Sequence, residues 1–254
     1  MPHLVRHNLE TDDGVSLTYY ELGSGRPLVL LHGYNAHAMP TWVDTDIAER
    51  FADAGHRVIM PDLRGHGASV PTQGHAYPPD ALTTDALTLI ARLDQGEYDL
   101  GGYSLGARIV ARSLTLSAQP QRAVIGGTGL DPIVHAAGRG ENYRRILSNL
   151  GTWEPGTPEA QFGGWVRQVG ADPVALIRVL DTLVDTAEED LARVDVSTLV
   201  IAGDHDTDRG SVEDLAAILP KGELQRIPGD HFSALTSTEL KDQFAGFLSQ
   251  EPPS

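Results

Sequence analysis

Apolar residues in this chain form short unbroken runs, separated by longer stretches in which they recur every three to four positions. Pro27–Leu31, Arg57–Met60, Tyr98–Tyr103, Arg122–Gly126, Thr198–Ala202 and Leu224–Ile227 read as strands. The run Leu28-Val29-Leu30-Leu31 has no polar alternate, as a strand buried on both faces of a parallel sheet requires. Leu4–Glu10 and Ser16–Leu22 read instead as a hairpin turning at Asp12-Asp13-Gly14. Ile47–Ala54, Ala81–Leu93, Leu105–Leu116 and a terminal Thr236–Leu248 carry the helical period. Eight strands alternating with helices predict an α/β fold: a doubly wound, mostly parallel eight-stranded sheet with right-handed crossovers.

One block breaks the alternation. Residues 131–194 offer no convincing strand, and within them Leu176, Val179, Leu180, Leu183 and Ala187 recur at helical spacing. Ala137–Gly140 and Gly151–Pro158 read as turns. The expected organisation is a core domain of residues 1–130 and 195–254, with 131–194 as a helical cap insertion over the sheet edge. The competing arrangement is two ordinary crossover helices with long loops.

Composition excludes several classes of function. The 254 residues are 41% hydrophobic, which suits a packed globule rather than a disordered chain. A net charge of −16 opposes approach to nucleic acid or an anionic membrane. The absence of cysteine removes disulfides, thiol nucleophiles and Cys-based metal sites. No cationic start leads into an apolar core, and no run of 18 apolar residues occurs, so a cytoplasmic protein is expected. No cofactor or metal is implied: the chain has no G-x-x-x-x-G-K-[ST] loop and no H-E-x-x-H. The expected partner is a small-molecule substrate; oligomeric state stays open.

The strongest chemical signal is Gly102-Tyr103-Ser104-Leu105-Gly106, where a strand meets a helix. A serine in such a turn projects its hydroxyl above the sheet, and small residues two before and two after it relieve backbone crowding. The helix N-terminus beneath it offers free amides to a developing oxyanion. Serine needs a base, and the base an orienting acid. Of the histidines after Ser104, His231 lies in the loop between the last strand and the terminal helix, where an imidazole can reach over the sheet; His135 and His205 are less well placed. Asp204, Asp206 and Asp208 alternate in the loop after Ile201-Ala202-Gly203, and one of them must face the imidazole while the others face water. The same alternation fails as an EF-hand, since Arg209 and Leu215 stand where Gly and Glu are needed.

With His32-Gly33-Tyr34 after the third strand and Pro61-Asp62-Leu63-Arg64-Gly65-His66-Gly67 after the fourth, these motifs follow one another in a specific order. The chain resembles the α/β-hydrolase fold family over nearly its whole length. The resemblance implies a serine hydrolase with Ser104 as nucleophile, His231 as base and Asp206 as acid, Asp204 being second choice and Asp131 third. It also implies an oxyanion hole of the Tyr34 and Leu105 amides, while His32, Arg64 and His66 organise turns. Asn35, His37, Trp153, Phe162 and Trp165 are candidates for the substrate pocket, with Leu176; Trp153, Phe162, Trp165 and Leu176 equally fit a small core inside the insertion. The implied reaction is hydrolysis of a small ester, lactone or thioester. Alternatives on the same scaffold are a carbon–carbon hydrolase or lyase, or a non-catalytic receptor. Arg108, four residues after Ser104, matches the elbow of the menaquinone-pathway lyase and equally fits an arginine covering a helix face.

Overall fold

A computed structural model describes residues 3–70, 77–93 and 96–250. Eight strands form one sheet: β1 (Val5–Glu10), β2 (Ser16–Gly23), β3 (Arg26–Leu31), β4 (His56–Pro61), β5 (Asp99–Tyr103), β6 (Arg122–Gly126), β7 (Ser197–Gly203) and β8 (Gly222–Ile227). Their order across the sheet is β1-β2-β4-β3-β5-β6-β7-β8. The hairpin strands pair antiparallel, and β2 pairs antiparallel with β4; every later pairing is parallel. The doubly wound, mostly parallel sheet expected from the strand–helix alternation is the observed architecture.

The unbroken apolar runs divide residue by residue between two cores. Along β3, Val29 and Leu31 face one side while Leu28 and Leu30 face the other. Along β7, Val200 and Ala202 join the first and Leu199 and Ile201 the second. Helices α1 (Ile47–Asp53), α2 (Ala81–Leu93) and α3 (Leu105–Leu116) occupy the crossovers. The first core is closed by α2 and α3: Leu82, Ala86, Leu89 and Leu93 line one stripe of α2. Phe51 of α1 closes the second.

Between β6 and β7 every regular element among the described residues is helical: α4 (Asp131–Val134), a 3₁₀ turn (Ala137–Gly140), α5 (Glu141–Ser148), α6 (Pro158–Gln168), α7 (Pro173–Asp181) and α8 (Glu188–Leu191). Helix α7 stops short of Leu183 and Ala187, because the Thr182 hydroxyl and amide both turn back to the Val179 carbonyl. After β7 come α9 (Val212–Ile218), α10 (His231–Thr236) and α11 (Thr238–Leu248). The terminal helix expected over Thr236–Leu248 is α11, and α10 precedes it where a loop was expected. Ser237 lies in extended backbone between them and caps α11, accepting from the Leu240 amide. No helix of the described residues is long and apolar enough to cross a membrane.

Buried polar groups fix the loops at the strand ends. Arg64, only 2% exposed, bonds through its guanidinium to both carboxylate oxygens of Asp85 (2.7 and 2.8 Å) and both of Asp13 (2.7 and 2.9 Å). It thereby ties the first hairpin turn to α2. Asp62 accepts from the Ala38 and Ala68 amides at 2.9 and 2.8 Å. Nε2 of His32 accepts from the Leu63 amide at 2.9 Å, so the proton resides on Nδ1, which donates to the Gly33 carbonyl at 2.8 Å. His66 lies edge-on to it, ring centroids 5.1 Å apart. These are the turn-organising roles expected of His32, Arg64 and His66.

Burial pulls both imidazoles from 6.5 down to about 3, His66 being lowered further by its neighbour His32. Folded, they stay neutral; unfolded, they take up protons below pH 6.5. Their contribution to stability is therefore full above that value and lost as the pH falls from 6.5 toward 3. Urea unfolding at pH 5 is expected to show about 2 kcal/mol less stability per imidazole than at pH 7. In His66→Gln the difference between the two pH values should shrink by about that amount, and an unchanged difference would show that His66 is not held neutral.

Candidate active site

Ser104 stands between the last residue of β5 and the first of α3, with φ 57° and ψ −112°. That conformation is close to the one a type II′ turn reserves for glycine, and a serine there is strained. What holds it is close packing: a Cβ on Gly106 would collide with the Leu31 carbonyl, and one on Gly102 with the backbone of Gly106. The two glycines of the motif thus let α3 descend onto the ends of β3 and β5. The Ser104 amide donates to the Gly126 carbonyl at 2.8 Å, locking the turn to β6. On the other side lies Gly33, where a Cβ would sit 3.4 Å from that of Ser104.

The ends of β7 and β8 bring two further groups together. Nδ1 of His231 lies 2.7 Å from Oδ2 of Asp206, whose side chain is buried. An Nδ1–H donated to that carboxylate leaves Nε2 as the free acceptor. Asp204 is half exposed and faces elsewhere: its Oδ1 accepts from the Gly229 amide at 3.0 Å, tying the aspartate loop to the loop before His231. Asp131 also stays away, half exposed in α4 with His135 at 3.0 Å and Arg139 as its partners.

His231 is the first residue of α10 rather than a loop residue. Asp230 initiates that helix, its carboxylate accepting from the Phe232 and Ser233 amides while the Ser233 hydroxyl accepts from the Asp230 amide. The Tyr103 hydroxyl donates to the His231 carbonyl at 2.8 Å, so the residue before Ser104 anchors the backbone of the imidazole. Among the described residues the Ser104 hydroxyl has no hydrogen-bond partner. Asp206 and His231 are therefore brought together, whereas the bond between Ser104 and His231 is not formed; such a bond commonly tightens only with substrate in place.

The backbone amides of Tyr34 and Leu105, the residues that follow Gly33 and Ser104, are without an acceptor among the described residues. The second belongs to the first turn of α3, where no intrahelical acceptor exists. The Tyr34 side chain points away into the helical segment: its hydroxyl donates to the Leu176 carbonyl at 2.9 Å and its ring lies 5.3 Å from that of Tyr143. Burial pushes this phenol well above its ordinary range. Phe162 and Leu176 pack with Leu147 and Val166 as a small core within the segment, Phe162 also facing Tyr34 and Tyr143.

The other pocket candidates separate. Trp165 Nε1 donates to the Asn35 carbonyl at 2.9 Å, and its ring faces Phe232, which stands edge-on to His231. Asn35 is buried at φ 54°, with neither side-chain amide atom partnered. His37 accepts from the Thr41 hydroxyl through its carbonyl at 2.7 Å and packs its Cβ against Gly67. Trp153 does not join them: its ring lies under the Arg145 guanidinium and its Nε1 donates to the Ile146 carbonyl, both inside the helical segment. A cation over the ring face supplies the partner that a substrate wall would otherwise have been. Phe232 and Tyr103 carry no chemical signal of their own in the sequence, although each adjoins a residue that does.

Residues 28–242 match the alpha/beta hydrolase family. A non-heme chloroperoxidase of Kitasatospora aureofaciens is 30% identical, the alignment covering 92% of this chain and 94% of that one. An esterase of Thermogutta terrifontis, solved with malate bound, superposes with a TM-score of 0.76 at 22% identity, over 96% of this chain and 98% of that one. A bromoperoxidase of Bacillus anthracis does so at 0.72 and 22%, over 96% and 100%. These structural likenesses carry the fold.

The strain at residue 104 is open to direct measurement. Ser104→Gly is expected to stabilise the fold by about 1 kcal/mol, a rise in Tm of about 2–4 °C for a chain of this size. A lower Tm would mean that the elbow is not strained.

Proposed function

The chain belongs to the alpha/beta hydrolase family, and we propose that within it the protein is a serine hydrolase cleaving a small carboxylic ester, lactone or thioester through an acyl-enzyme. The observation that carries this reading is the 2.7 Å contact between His231 and buried Asp206, formed at the same end of the sheet as the Ser104 elbow. Relatives named as epoxide hydrolases share the family, but chemistry through an alkyl-ester intermediate calls for an aspartate at the elbow, where this chain has Ser104.

In the proposed reaction Nε2 of His231 takes the Ser104 proton as the hydroxyl oxygen attacks the substrate carbonyl. Asp206 keeps the imidazole in the right tautomer and stabilises the imidazolium. The amides of Tyr34 and Leu105 donate to the tetrahedral oxyanion, the Leu105 amide with the positive end of α3 behind it. Collapse expels the alcohol or thiol, protonated by His231. Water, deprotonated by the same imidazole, then cleaves the acyl-enzyme and returns the proton to Ser104. Residues 131–194 act as the cap over this site, with Trp165 and Phe232 at its rim. Those two aromatics touch each other across the gap between α6 and α10, and Phe232 is 60% exposed. An apolar surface left open beside the base suits the acyl or alcohol portion of a small ester.

A fluorophosphonate probe and 4-nitrophenyl acetate test this together. Wild type is expected to label and turn over, Ser104→Ala to do neither, with a loss on the order of 10⁶ in kcat. Asp206→Asn should lose about 10⁴, and Asp204→Asn less than about tenfold. Hydrolysis retained in Ser104→Ala would overturn the assignment, and a folded wild type that neither labels nor turns over would favour a binding role.

A further inference from the structure

Asp206 gives one carboxylate oxygen to His231 and has the other to spare. Oδ2 meets Nδ1 of the imidazole at 2.7 Å, whereas Oδ1 accepts no hydrogen bond from the described residues. A cation faces that second oxygen: Nε of Arg209, three residues on in the same loop, stands 4.0 Å from Oδ1. The last side-chain torsion of an aspartate is broad, so nothing within the residue fixes how its carboxylate is turned. For a side chain only 3% exposed, the charge beside the free oxygen opposes that turn, with little water to screen it.

The guanidinium is itself held between two acceptors and seated on neither. Its Nε is buried with no acceptor in hydrogen-bond distance. A charged N–H left that way costs stability and calls for a reason. Its Nη1 donates to the Tyr143 hydroxyl at 3.4 Å, the long end of a hydrogen bond. The backbone beneath is fixed, the Arg209 carbonyl accepting from the Gly129 amide at 2.7 Å. Tyr143 lies on α5, and its ring meets those of Tyr34 at 5.3 Å and Phe162 at 5.2 Å. Contacts therefore run from Asp206 through Arg209 into the helical segment, and from there to Tyr34. The same two charges reach Tyr103, whose hydroxyl holds the His231 carbonyl: burial and then Asp206 raise that phenol, and Arg209 lowers it.

We propose that Arg209 is a positioning residue for Asp206, steadying the carboxylate from its Oδ1 side so that Oδ2 stays on His231, and that the Tyr143 hydroxyl sets where the guanidinium stands. Because that hydroxyl belongs to the cap, the alignment of acid and base answers to the position of α5. Arg209 touches no reacting atom, so its effect falls on kcat and leaves KM nearly alone. This inference rests on the serine-hydrolase reading for the reaction that kcat reports, but not for the contact between carboxylate and imidazole.

Two measurements separate the two. With 4-nitrophenyl acetate, Arg209→Gln is expected to lower kcat about 10- to 100-fold while KM moves less than about threefold, and Arg209→Lys, which keeps the charge, to recover most of the loss. Tyr143→Phe should lose less, and the double variant Arg209→Gln with Tyr143→Phe should fall within about twofold of Arg209→Gln alone, as two members of one linkage do. Proton NMR needs no turnover: wild type should show a downfield imidazole N–H that vanishes in Asp206→Asn, shifts or broadens in Arg209→Gln and returns in Arg209→Lys. If no ester is cleaved while this resonance answers to Arg209, the hydrolase reading fails and the positioning role stands. The role is overturned by a kcat and a resonance both unmoved in Arg209→Gln. It is overturned equally by the same loss in Arg209→Gln and Arg209→Lys with a Tm several degrees lower, which would make Arg209 structural. Losses that multiply in the double variant would overturn the link to Tyr143.

Discussion

The close approach of α3 to the ends of β3 and β5 is the constraint on which the site depends. Gly106 lies against the Leu31 carbonyl with no room for a side chain, and Gly102 lies against Gly106. Because the helix sits that deep, the peptide joining it to β5 has to turn sharply, and Ser104 takes a left-handed φ that costs on the order of 1–3 kcal/mol. The same descent places the first free amides of α3 beside the serine oxygen. Strain, exposure of the hydroxyl and the donor at Leu105 are one geometric fact seen from three sides.

Everything else at the site is brought to that fixed point by groups that cannot easily shift. Nonpolar alternation holds the sheet, since each strand from β2 to β7 feeds two cores at once. The loops at its ends are held differently, by buried polar groups with directional partners. His32 spans Gly33 and Leu63, Asp62 spans Ala38 and Ala68, and Tyr103 reaches the His231 carbonyl. Hydrogen bonds of this kind add modestly to stability but are costly to leave unmade, which makes them good at specifying one loop conformation.

The strands, their mostly parallel sheet and the elbow are legible in the sequence because each rests on a local pattern. A run such as Leu28–Leu31 admits little besides a doubly buried strand, and a serine set between small residues where a strand meets a helix marks a tight elbow. The choice among Asp204, Asp206 and Asp208 has no such pattern behind it: alternation fixes which residues differ in facing, not which one meets an imidazole 25 positions away. The start of α10 is hidden for a related reason, since Asp230 suits a loop motif in the sequence as well as it suits a cap. Trp153 and Trp165 show the limit most plainly. They are chemically alike and twelve residues apart in the same segment, yet one lies under Arg145 and the other reaches Asn35. Only tertiary packing distinguishes them.

The strip of chain from Tyr34 to Asn35 is gripped from above at two points, by the carbonyl of Leu176 and by the indole of Trp165. Those grips come from α7 and α6, so the backbone that follows Gly33 is tied directly to the helical segment. In the proposed reaction, a guest that displaced either helix would pull the Tyr34 amide out of line with the oxyanion. Misfit would then be felt as slow chemistry in molecules that still bind, and shape preference would be written into the speed of reaction more than into the strength of attachment.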